Sequence, residues 1–169
     1  MSKKDLENFL SQHKENTKAK GELDWLSRRN EWLCYIEQFY DNVLKWLSRY
    51  IEQGKIQVTR KNITLNEDNI GSYNTEKLIL KLANREITLT PIGTVLIGSK
   101  GRIDMNSSAG EVKFVLVEKN SKGINTQAPE KSANPPEWKW KISTTPPLIK
   151  FIELNEDSFS DALMEVLNV

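Results

Sequence analysis

Residues 25–51 read WLSRRNEWLCYIEQFYDNVLKWLSRYI. Trp25, Trp32, Phe39 and Trp46 recur every seven positions, close to two turns of a helix, so their side chains stack along one side of it. Leu26, Leu33, Tyr40 and Leu47 form a neighbouring row, and Ile36, Val43 and Tyr50 a third. Ser27, Arg28, Glu31, Gln38, Asp41, Lys45, Arg49 and Glu52 fill the far side. The pattern predicts one long amphipathic helix over about residues 22–53, stopped at Gly54.

Such a helix is about 45 Å long at ~1.5 Å per residue. Strands of ordinary length offer only about 20–26 Å of sheet for it to lie on. Either the helix breaks near its middle, or one end outruns its support. A protruding end exposes apolar surface worth roughly 2 kcal/mol per large side chain when covered. On this reading Trp25, Trp32 and Trp46 are the candidate partner-binding residues, and the partner is another protein or a second copy of the chain. Membrane-surface helices favour a basic polar face; the far side here mixes acids with bases, which argues against a membrane role.

From residue 55 onward the hydrophobic period changes to two. IQVT and NITL are followed by KLILKL and REITLT around Ala83-Asn84, then TVLIG, then GRIDM and EVKFVLV joined across residues 106–110, then WKWKI and LIKFIEL. Lys77, Ile79 and Lys81 alternate with Leu78, Leu80 and Leu82, the mark of a half-buried strand. Successive strands with short turns and no helix between them imply an antiparallel meander. The fold class expected is therefore α+β: a meander-like antiparallel sheet of about six to eight strands packed against one long amphipathic helix, with short N- and C-terminal helices.

The whole chain, 1–169, is expected to form a single domain. Residues 1–20 read as a loosely docked helix, carrying Leu6, Phe9 and Leu10, followed by a polar linker with Gly21 as a break. Residues 119–137, KNSKGINTQAPEKSANPPE, are the one long polar stretch and read as a flexible loop. At the C-terminus Ser158 and Asp161 suggest a capping box, with Phe159, Ala162, Leu163 and Val166 as the buried stripe.

Composition narrows the functional classes. Lys and Arg number 24 against 23 Asp and Glu, a net charge of +1, whereas duplex DNA or anionic lipid draws a clearly basic surface. Cys34 is the only cysteine and His13 the only histidine, so the sequence offers no disulfide, no thiolate metal cage and no multi-histidine site. No metal and no cofactor are expected. A reducing, cytoplasmic setting is the simplest one for such a chain, and no apolar run approaches the ~20 residues of a membrane span. The function expected is non-enzymatic: a protein–protein interaction or structural module associating through the aromatic-rich helix.

Two alternatives rest on particular residues. In GRIDMNSSAGEVKFVLVEK, Asp104 ends one strand and Glu111-Val112-Lys113 opens the next. An aspartate followed across a hairpin by Glu-x-Lys resembles the PD-(D/E)xK nuclease core, over about ten residues. The resemblance implies a divalent metal held by Asp104 and Glu111, with Lys113 helping to position water. Read on its own, the same stretch is a charged hairpin flank. In EWKWKIS, Trp138 and Trp140 share one strand face and Lys139 and Lys141 the other. Aromatic faces near basic residues can stack single-stranded nucleic acid, which makes Trp138 and Trp140 the alternative binding pair.

Overall fold

The computed structural model describes residues 3–94, 99–123 and 137–168, the side chains of 12–23 excepted. It is an α+β chain with a seven-stranded sheet whose strands follow their sequence order, each antiparallel to the next. The strands are β1 (Gln57–Glu67), β2 (Gly71–Leu82), β3 (Arg85–Gly93), β4 (Gly101–Asn106), β5 (Glu111–Glu118), β6 (Trp138–Ser143) and β7 (Phe151–Glu153). Helix α1 (Lys3–Glu52) precedes them and helix α2 (Glu156–Leu167) follows.

The meander expected from the period-two segments is present, with redrawn bounds. IQVT, from Gln57 on, and NITL lie in one long strand, β1, and β2 begins at Gly71, six residues before the expected KLILKL run. Ala83 and Asn84 both adopt positive φ, 51° and 61°, the type I′ geometry whose twist matches the strands it joins. Of the expected TVLIG strand, residues 95–98 lie outside the described residues.

Helix α1 runs without a break through both lengths that the sequence separated by a linker. One glycine inside a helix costs only about 1 kcal/mol relative to alanine, and the polar stretch around Gly21 is otherwise rich in Glu, Lys and Ala, which favour helix. The helix ends as anticipated at Gly54, whose φ of 71° is open to glycine at little cost. There the amides of Gly54 and Lys55 return to the carbonyls of Ile51 and Tyr50.

The core lies between α1 and one face of the sheet. From α1 it takes Trp32, Ile36, Phe39, Tyr40, Val43 and Leu47; from the sheet Leu78, Leu80, Ile87, Leu89, Ile103, Met105 and Phe114. Phe39 meets Phe114 at 5.0 Å between ring centroids, and Trp46 meets Phe159 of α2 at 5.6 Å. Asn155 caps α2: its side chain accepts from the Ser158 amide, and the Ser158 hydroxyl accepts in return from the Asn155 amide. The capping box thus starts three residues before the expected Ser158–Asp161 pair, because the chain leaves β7 already extended at Asn155.

Two devices hold the ends of the sheet. The β1–β2 ribbon parts from β3 beyond the Leu78–Leu89 pair. At that point the Tyr40 hydroxyl donates to the Glu76 carbonyl at 2.6 Å. At the ribbon's tip, Glu67 accepts from the Thr94 amide (2.8 Å) and hydroxyl (2.7 Å) and from the Tyr73 hydroxyl. Arg28 of α1 donates to the Thr94 carbonyl at 2.9 Å, so tip, β3 end and helix converge on one residue.

On the sheet's other face, residues 119–123 form a strap. The Lys141 ammonium donates to the carbonyls of Lys119 (2.7 Å) and Ser121 (2.6 Å). The Phe151 amide donates to the Lys122 carbonyl at 2.8 Å. This part of the stretch read from sequence as a flexible loop is pinned at several points; residues 124–136 lie outside the described residues.

Two substitutions probe this packing. A β-carbon on Gly101 would sit 2.1 Å from the Trp32 ring, so Gly101→Ala is expected to lower unfolding free energy by about 1–3 kcal/mol and to alter tryptophan fluorescence, both readable in one urea titration. Lys141→Met leaves two carbonyls of the strap without their donor, each costing about 1–3 kcal/mol if it stays buried. Amide hydrogen exchange should then rise in 119–123 and not in β3.

Candidate functional site

The ladder residues divide sharply by exposure. Trp32 is fully buried, its ring over Gly101 and 5.8 Å from the Trp140 ring. It offers a partner no surface, which corrects its expected place among partner-binding residues; the close approach allowed by a residue without a β-carbon explains its depth. Trp25 is half-buried beneath the Arg28 guanidinium, 5.4 Å from its ring. Trp46 is half-buried on Phe159.

Trp138 and Trp140 face α1, as the strand alternation requires. Trp140 is held by rings on two sides, Trp32 and, at 5.0 Å, Phe39. Its indole N–H donates to the Tyr35 carbonyl at 3.1 Å. Trp138 carries the Lys100 ammonium 5.0 Å from its ring centre, and the same ammonium pairs with Glu31 at 2.5 Å. Trp140 is thus packed into the core by its ring neighbours, and Trp138 has a charged ammonium over its ring. The lysine that meets the aromatic face, Lys100, comes from the β3–β4 connection, which strand alternation within β6 alone could not reveal.

Strand β7 pairs with only three residues of β6, Lys141, Ile142 and Ser143. Beside the remaining residues, Trp138–Trp140, a cleft of about 230 Å³ opens between β6 and α1. Tyr35, Gln38, Asn42 and Trp46 form its helical wall; Trp138, Lys139, Trp140, Glu153 and Leu154 stand opposite. Burial and the nearby Glu31 carboxylate raise the Tyr35 hydroxyl above its ordinary pKa, so it stays protonated near neutrality. The cleft thus combines aromatic rings with amide groups on the helical wall and the charged Lys139 and Glu153 on the strand side. A second hollow, about 490 Å³, lies between the end of α1 and the β2–β3 turn, lined mainly by polar residues such as Lys81, Asn84 and Arg85.

The most exposed large apolar side chains of α1 are near its start. Leu6, Phe9 and Leu10 are 61%, 65% and 57% exposed, and every described side chain from Lys3 to Ser11 is exposed. These residues belong to the same helix, Lys3–Glu52, whose later turns carry Trp32, Ile36, Phe39, Tyr40, Val43 and Leu47 of the core. They form an apolar arm on a helix whose other half is core.

Asp104, Glu111 and Lys113 do come together. Asp104 pairs directly with Lys113 across the β4–β5 ladder, and Glu111 lies two positions along the same face. Asp104 is nearly buried and ion-paired with Arg102, Nε to Oδ1 2.9 Å and Nη2 to Oδ2 3.2 Å. Burial raises its carboxyl pKa, Arg102 opposes that, and the neighbouring Glu111 carboxylate adds to it. The metal reading needs oxygen ligands free to turn toward one ion; here Arg102 already occupies Asp104. Among the described residues no group of three or more His, Cys, Asp and Glu could hold a metal ion.

Cys34 is exposed, and the side chain of His13 lies outside the described residues. Among the described residues, no helix is long and apolar enough to cross a membrane. Comparison with protein-family models, with curated proteins and with solved structures finds no match for this chain.

The sign of the Asp104 effect is fixed by its raised pKa. The native state keeps that proton to higher pH than the unfolded chain, whose aspartates titrate near ~3.9. The associated stability is complete below that value and is lost as pH rises through the native one. Urea midpoints across the acid range should therefore fall with pH more in the wild-type chain than in Asp104→Asn. Parallel curves would show that the carboxyl is not perturbed.

Proposed function

We propose that the protein is a non-enzymatic association module, and that the start of α1 makes the association. The observation that carries this reading is the exposure of Leu6, Phe9 and Leu10 on a helix continuous with the core. Residues at i, i+3 and i+4 share a face, so the three form one patch and not scattered singletons. Apolar anchors on a helix at this spacing suit docking against another helix or into a groove. The roughly 22 residues before Trp25 extend about 33 Å at ~1.5 Å per residue, a reach that serves contact with a second molecule. Of the residues first considered, Trp46 keeps a part in this reading as a wall of the cleft.

The partner class this supports first is the chain itself, since both an apolar arm and a cleft with aromatic walls and a polar rim are present on one molecule. Sedimentation velocity tests it directly. The wild-type chain should sediment above its 19.5 kDa monomer mass at micromolar concentration, and a Leu6→Asp, Phe9→Asp, Leu10→Asp variant should sediment as the monomer. Because the altered residues are exposed, its unfolding free energy should move by no more than about 0.5 kcal/mol per site. A wild-type monomer at ~100 µM, where contacts weaker than about 5.5 kcal/mol go unfilled, would remove the proposal.

A further inference from the structure

The arm's apolar patch is not a continuation of the stripe that faces the sheet. At about 100° per residue, Leu6, Phe9 and Leu10 centre roughly 120° around α1 from the buried group of Trp32, Ile36, Phe39, Tyr40, Val43 and Leu47. A longer sheet would not have covered them. They centre instead within about 15° of the cleft wall formed by Tyr35, Gln38, Asn42 and Trp46. Leu6 and Asn42, like Leu10 and Trp46, are about 36 residues apart, ten turns at ~3.6 residues per turn. Arm and cleft therefore lie on one side of the same rod.

From this we infer that the arm of one copy lies in the α1–β6 cleft of a second copy, and reciprocally, with the two α1 helices antiparallel. The inference rests on the association proposed above and names the place where the arm docks. The arm cannot fill the cleft of its own chain: Leu10 and Gln38 stand about 40 Å apart along a continuous helix. In an antiparallel pair, the register that sets Leu6 beside the partner's Asn42 also sets Leu10 beside the partner's Gln38. A two-fold axis then passes near residue 24, where the arm ends and the sheet-supported length begins. The pairing is self-complementary, as a closed dimer requires.

Area favours two contacts over one. A stable interface buries about 800 Å² on each partner, more than three apolar side chains and one cleft supply in a single docking. Exchange of both arms doubles the contribution from each chain. It also covers the part of β6 that β7 leaves unpaired, Trp138 to Trp140.

Site-directed disulfide trapping in the full chain tests this arrangement. In a Cys34→Ser background, Leu6→Cys and Asn42→Cys are made as separate proteins and oxidised alone and mixed. The expected result is a covalent dimer in the mixture containing one chain of each kind, and little in either protein alone. Asn42→Arg, an exposed substitution that fills the cleft, should weaken self-association at least tenfold without changing the unfolding midpoint measured at concentrations where the chain is monomeric. Covalent dimers in the Leu6→Cys protein alone would mean that arms pair with arms, overturning the cleft as the docking place while leaving association through the arm intact. Self-association lost in the aspartate variant but unaffected by Asn42→Arg would have the same meaning. No self-association in the wild-type chain would end both.

Discussion

The indole of Trp32 occupies the space that a side chain at position 101 would need. That one exclusion seats α1 on β4 at close range, and the aromatic contacts extend along the helix from there. Trp32 touches Trp140, Phe39 touches Trp140 and Phe114, and Trp46 meets Phe159. Edge-on and tilted ring pairs of this kind add about 0.5–1.5 kcal/mol each beyond their buried area. Helix, sheet and C-terminal helix are joined through these rings, and the polar devices at the margins act on an assembly they have already aligned.

Those margins show how the chain handles its longest excursions. The β1–β2 ribbon leaves the sheet, yet its tip is tied back through Glu67 to Thr94, which α1 also grips through Arg28. The strap leaves β5 and crosses to β7, with Lys141 satisfying two of its carbonyls. Burial lowers the Lys141 pKa, but an ammonium with two carbonyl acceptors retains reason to stay charged. In both places a single ionisable side chain supplies hydrogen bonds that neighbouring strands do not.

Much of this architecture was legible in the residues. The seven-residue recurrence located the core-facing length of α1, and period-two alternation located the meander. The strand runs on either side marked Ala83-Asn84 as a turn, and Gly54 marked a helix stop by its tolerance of positive φ. What could not be read was relative placement. Nothing in the spacing of Trp32 says that Gly101 lies beneath it, or that Lys100 meets Trp138. The continuity of α1 was hidden by a short polar run with one glycine, where propensity is nearly balanced. Convergence of Asp104, Glu111 and Lys113 on one sheet face followed from hairpin register, and the same two-residue spacing puts Arg102 beside Asp104 on its own strand. The angular offset of Leu6, Phe9 and Leu10 was present in the residue numbers, but it acquires meaning only once the cleft is known.

The unbroken backbone of α1 has an implication for how its length could vary. Rotational phase along a rigid helix is set by residue count alone, so a single inserted or deleted residue between the arm and Trp25 would swing the arm's apolar side by about 100°. Seven residues would nearly restore it, at about 20° of drift, while displacing it by some 10 Å. Related chains that keep the same surface facing the same way should therefore differ in this segment by about seven, eleven or eighteen residues, or not at all.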